Sequence, residues 1–129
     1  MDPNKDEITN TASENNLDWT GTYSITCIVN YNTPATAYYE LTLVQEGLKI
    51  TGTCQLPIQS IWTIPYTGTF IGFLPTPDAE EVELNATWVP GNSGSKIYIH
   101  FDDDKKLTLS GHHKSITDNS TGTYFGVRK

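Results

Sequence analysis

The chain has 129 residues and a net charge of −7; 18% of its residues are charged and 11% aromatic. That length fits one domain with a substantial core. The acidic balance excludes nucleic acid as a partner, because no run of Lys or Arg could form the basic face a polyanion needs, and the same sign disfavours anionic membrane surfaces.

Residues 1–18, MDPNKDEITNTASENNLD, are polar and acidic with little to bury, and they read as a disordered tail ahead of a barrel domain over 19–129. They lack the apolar stretch of a signal peptide. Two readings of this tail stand side by side. One is an ordinary loose terminus. The other is a tether: the composition resembles the tails of Gram-negative lipoproteins. That resemblance implies an exported chain of the periplasm or cell envelope, lipid-anchored through a removed N-terminal segment that Met1 replaces.

From Trp19 onward, apolar and polar residues alternate with the period of a half-buried strand. Eight strands are predicted, over 19–31, 37–46, 48–56, 60–73, 82–89, 95–102, 105–113 and 120–128. The first carries Trp19, Tyr23, Ile25, Cys27, Val29 and Tyr31 on its inner face. Tyr39, Leu41 and Leu43 follow on the second, then Leu48, Ile50, Cys54 and Leu56 on the third. The fourth points Trp62, Ile64, Tyr66 and Phe70 inward, and the fifth Val82, Leu84, Ala86 and Trp88. The last three contribute Ile97, Ile99 and Phe101; Leu107, Leu109 and His113; and Tyr124 and Arg128. Pro65 has no N–H for a ladder, so a bulge or break is expected there, with a ninth strand as the alternative. Tight turns at Glu46-Gly47 and Asp103-Asp104-Lys105 join neighbours as hairpins.

One motif recurs: TGTY at 20–23, TGTC at 51–54, TGTF at 67–70 and TGTY at 121–124. In each, the glycine and the fourth residue face inward while the threonines face out. Threonine favours extended backbone. Glycine inside a strand marks a bend or a close approach, and glycines on the inner face of several strands curve a sheet toward closure. The fold class expected is all-β: an eight-stranded antiparallel up-and-down barrel without free edges.

The segments GTYSITCIVN, YYELTLVQEGLKITGTCQL and YTGTFIG resemble the first four strands of the avidin family, which repeats a Thr/Ser-Gly-x-aromatic motif along its strands. The wider lipocalin-like superfamily places a Trp at the start of its first strand and packs an Arg from its last strand across it. By that resemblance Trp19 and Arg128 form a structural plug at one end. The resemblance supports a lipocalin- or avidin-like fold more than a function. An avidin pocket takes polar contacts just after these glycine motifs, where this chain has Ile25, Cys27, Cys54 and Leu56. Those cannot satisfy a ureido group, and each unmet polar atom costs about 1–3 kcal/mol, so biotin is not the expected ligand.

With alternating strand directions, the connections at 32–36, 57–59, 90–94 and 114–119 share one end, the expected mouth. Tyr31, Tyr39, Trp62, Trp88 and His113 lie near it, with Tyr124 deeper, and are the candidate ligand-binding residues: an apolar aromatic lining with a few polar tips. The alternative is a filled barrel, since eight strands enclose room for side chains or for one small ligand.

Catalytic and metal-binding constellations are not evident. A turn at 103–105 would pair Phe101 with Leu107 and leave His100 and His112 outward and about 13 Å apart, too far to share an ion. Strand pairing would set Cys27 beside Leu41 and Leu41 beside Gly52, leaving the cysteines two strands apart, near 10 Å, as buried free thiols. The function expected is therefore non-catalytic and cofactor-free: a binding protein of the cell envelope holding a small apolar or aromatic ligand. The alternative is a protein-interaction module, an enzyme inhibitor or envelope assembly factor with a filled barrel. It would meet a protein partner or a second copy through 74–81, 90–95 or outward Ile71, Tyr98, Phe125 and Val127.

Overall fold

The computed structural model of the chain describes residues 17–30 and 33–129. Eight strands follow in order: β1 (Gly21–Asn30), β2 (Ala35–Glu46), β3 (Lys49–Leu56), β4 (Tyr66–Phe73), β5 (Glu81–Val89), β6 (Ser93–Phe101), β7 (Thr108–Ser115) and β8 (Thr121–Arg128). Each pairs antiparallel with its neighbour in sequence, and β8 returns to β1, so the sheet is a closed barrel. Among the described residues there is no helix. Closure leaves no unpaired edge for another chain to extend.

The repeated motif builds this wall in two ways. On the inner face the copies in β3 and β4 meet head to tail: Gly52 lies opposite Phe70, and Gly68 opposite Cys54. Each large side chain thus has a missing one as its cross-strand neighbour, which lets side chains interleave inside a narrow barrel. On the outer face the register aligns Thr22, Thr42, Thr53, Thr69 and Thr87 in one belt across five strands. The Thr22 and Thr42 hydroxyls are 3.2 Å apart. Such Thr–Thr pairs contribute about 0.2–1 kcal/mol each.

The expected faces hold along the strands, and the register differs. Cys27 faces Ala37, Leu41 faces Cys54, and Leu43 faces Gly52. Phe101 faces Leu109, because the β6–β7 connection is longer than a three-residue turn. Asp103 caps it, accepting from Lys105 N at 3.0 Å, while the Asp102 carboxylate accepts from the Thr108 and Ser110 hydroxyls. Leu107 therefore lies exposed in the connection, and so does Leu48 at the β2–β3 turn; neither enters the core. His100 and His112 become diagonal neighbours at about 7–8 Å between Cα atoms, closer than expected. His112 stacks on Tyr98 at 4.8 Å, and His100 Nε2 lies 3.7 Å from Asp102. Among the described residues no group of three His, Cys, Asp or Glu could hold a metal. Cys27 and Cys54 are free and buried.

The fourth strand is shorter than expected. It begins at Tyr66, directly after Pro65, and 57–65 is a connection that carries an isolated bridge between Gln59 and Trp62. Ile64 is accordingly exposed, and no ninth strand forms among the described residues.

One end of the barrel is plugged. Trp19 is 1% exposed, stacks on Phe101 at 4.0 Å and donates its indole N–H to Ala79 O. The Arg128 guanidinium donates to the Asp18, Thr20 and Lys106 carbonyls. It covers the rings of Tyr23 and Phe101, at 4.9 and 5.7 Å, so it meets the Trp19 stack through Phe101. The expected tail falls mostly on residues 1–16, outside the described residues. Its last two residues are tied to the barrel base: Lys106 donates to Leu17 O, and Arg128 to Asp18 O.

Candidate functional site

The end opposite the plug opens into a cavity of about 200 Å³. Tyr39, Trp62, Trp88, His113 and Tyr124 all line it. Tyr31, the sixth expected residue, lies outside the described residues.

Tyr39 from β2 and Tyr124 from β8 meet across the interior. Both are buried, their hydroxyls are hydrogen-bonded to each other, and their rings meet edge to face at 6.3 Å. Burial pushes both phenols well above their ordinary pKa. Trp88 stands edge-on to Tyr39 at 5.9 Å and to Phe70 at 5.7 Å, and its indole N–H donates to Ser95 Oγ at 3.2 Å. Gly68 lies opposite Trp88 on β4, and the indole occupies the space a side chain there would fill.

Trp62 reaches the cavity from the connection, not from a strand. Pro57 ends the pairing of β3 with β2 because it has no N–H to offer. The Gln59 side chain takes over: its Oε1 accepts from Tyr38 N at 2.8 Å and its Nε2 donates to Tyr38 O at 2.9 Å. Gln59 and Trp62 then exchange two backbone hydrogen bonds of 3.0 and 2.8 Å, which folds the connection back over the rim.

His113 is 6% exposed, and burial holds its imidazole below the usual histidine pKa. Its Nε2 and the Ser120 Oγ, both buried, make no well-aligned hydrogen bond with a described residue; the Ile28 carbonyl and the Asp118 carboxylate are their polar neighbours. The Cys27 thiol on the same lining, and Cys54 nearby, are pushed up to about 12 by burial. At neutral pH the phenols and thiols keep their protons and the imidazole is uncharged.

The aromatic reading of the mouth omitted a hydroxyl-bearing part of its lining: Ser93, Ser95, Ser115, Thr117 and Ser120, with Asp118. Part of the signal was present. Counting back by twos from Ile97 reaches Ser95 and Ser93, and counting on from His113 reaches Ser115, all on the inner face. Thr117, Asp118 and Ser120 belong to a turn whose direction no alternation encodes. Asp118 accepts from Ser120 N at 2.9 Å, which holds its carboxyl below the usual range.

Among solved structures the fold matches a redesigned β-barrel with a TM-score of 0.71 at 16% identity, covering 86% of this chain and 91% of that one. Two further redesigned barrels, mFAP0 and mFAP1, each bound to DFHBI, match with a TM-score of 0.70 at 19% identity. They cover 85% of this chain, and 98% and 94% of their own. At these identities the likeness is one of fold. No protein-family model and no curated protein matches the sequence.

Proposed function

We propose that this protein is a non-catalytic binding protein that holds a small, largely apolar ligand in the open end of its barrel. The observation that carries this reading is the cavity: aromatic side chains converge there with buried polar atoms that make no well-aligned hydrogen bond among the described residues. Sites for small molecules combine an apolar lining with a few placed polar groups. At about 200 Å³ the space lies below the roughly 300–1,000 Å³ typical of drug-sized ligands, which favours a compact one. Two barrels of the same fold bound to DFHBI lend weak support. Binding without turnover suits the chemistry, since thiols and phenols that keep their protons are poor nucleophiles and bases.

The barrel's lipocalin- or avidin-like relationship and a place in the periplasm or cell envelope, by lipid anchor, belong to the same proposal. They rest on the Thr-Gly-Thr strands and the polar N-terminal stretch. A second reading, a protein-interaction module, draws on the exposed Ile58, Ile61, Ile64 and Ile116 of the connections at the open end.

A native mass spectrum of gently purified protein separates the two. A small-molecule adduct that disappears in Trp62→Glu supports the carrier. A clean chain mass together with a co-purifying protein supports the interaction module.

A further inference from the structure

The cavity is divided by chemistry. β1 to β4 and the connection after β3 bring Val29, Ala37, Leu56, Trp62 and Tyr66. Across the barrel, β6, β7 and the turn after it bring the serine and threonine hydroxyls.

Those hydroxyls are mostly spent in one sense only. Ser95 Oγ accepts from Trp88 and Thr117 Oγ1 from Gly94 N at 3.1 Å; Ser115 Oγ accepts from Asp118 N at 3.3 Å and also neighbours the Asp118 carboxylate. An accepting hydroxyl keeps its own hydrogen to donate. The Tyr39–Tyr124 pair likewise uses one hydroxyl hydrogen and leaves the other. To these are added Ser120 Oγ and His113 Nε2, which are buried and make no well-aligned hydrogen bond with another described residue, although the Asp118 carboxylate neighbours the first and the Ile28 carbonyl the second. Buried polar groups left without partners are costly, so an occupant that satisfies them gains over one that does not.

Charge narrows the choice further. Among the described residues no Lys or Arg lines the cavity, and the one carboxylate on its lining is Asp118 on the exposed turn. An anion entering would lose its hydration and find no counter-charge.

Resting on the ligand-binding reading above, we infer that the cavity selects an uncharged flat ring compound with one polar edge. The ring lies against the Trp62 and Tyr66 side, and its oxygen or nitrogen edge meets the hydroxyl wall, with Ser120 and His113 setting the preference.

The test titrates the full chain with four probes of one size, following tryptophan fluorescence: 2-naphthol, naphthalene, 2-naphthoate and 2-naphthylmethylammonium. The expected result is that 2-naphthol binds about tenfold more tightly than naphthalene, the worth of one well-placed hydrogen bond, and more tightly than either ion. Ser120→Ala and His113→Leu should each narrow that gap to about threefold while naphthalene binds as before, which also shows that the variants are folded. Equal binding of naphthol and naphthalene, or tightest binding of either ion, overturns the inference and leaves the carrier standing. Binding of none of the four removes both.

Discussion

A methyl group placed on Gly122 would fall on the Ile28 carbonyl oxygen of the paired strand and press on His113 Nε2. The obstacle is backbone, and Gly122 pairs with Val29 in the β1–β8 ladder, so relief requires those strands to part. Overpacking of this kind costs about 1–3 kcal/mol. Replacing glycine also removes freedom from the unfolded chain, a gain of about 0.4–1 kcal/mol. Gly122→Ala should therefore lose about 1–2 kcal/mol, a fall in Tm of roughly 4–8 °C for a domain of this size. Gly94→Ala is the control. There the nearest atoms to a new methyl are Ile116 Cδ1 at 3.7 Å and Ala86 O at 3.8 Å, ordinary contact distances. Only the unfolded-state gain remains, and Tm should rise by about 2–4 °C. Differential scanning calorimetry of both variants reads the two signs. If Gly122→Ala melts at or above the parent, or Gly94→Ala falls alongside it, the account of the glycines as points of close approach is wrong.

Three further expectations follow from the interior. Tyr39→Phe and Tyr124→Phe each leave a buried hydroxyl without its partner and should cost about 1–3 kcal/mol in urea unfolding; the double variant should cost less than the two together, and strict additivity would deny the coupling. His113 is held below its ordinary value of 6.5 by burial, so the folded state binds this proton more weakly than the unfolded one. Stability from this residue is then complete above about pH 6.5 and declines as pH falls toward the lowered value, by at most about 1.4 kcal/mol per pH unit. His113→Gln should flatten that part of the profile, and an unchanged profile would count against a buried neutral imidazole. The thiols of Cys27 and Cys54, pushed up to about 12, should ignore an aromatic disulfide reagent at pH 8 in the native state and react fully in denaturant. Rapid native labelling would place at least one thiol in solvent.

The sequence by itself determined which way each strand residue points. Alternation with period two assigns faces, and a one-residue slip would turn the whole inner set of a strand to water, so faces are strongly encoded. The four Thr-Gly-Thr copies, the buried Tyr23, Cys54, Phe70 and Tyr124, and barrel closure were all legible on that basis. Slips by an even number leave every face unchanged, and alternation is blind to them. Cys27 opposite Ala37 instead of Leu41 is a shift of four; Phe101 opposite Leu109 instead of Leu107 is a shift of two. Turn geometry decides such shifts: the Asp102 and Asp103 bonds hold the longer β6–β7 connection that sets Phe101 opposite Leu109. The place of Trp62 near the mouth was legible, but only the tertiary structure could show that it comes from a connection and not from a strand, or set a hydroxyl wall from β6 and β7 across from an apolar one. Both depend on which strands face each other across the barrel and on where its connections fold, and the period of a single strand carries neither.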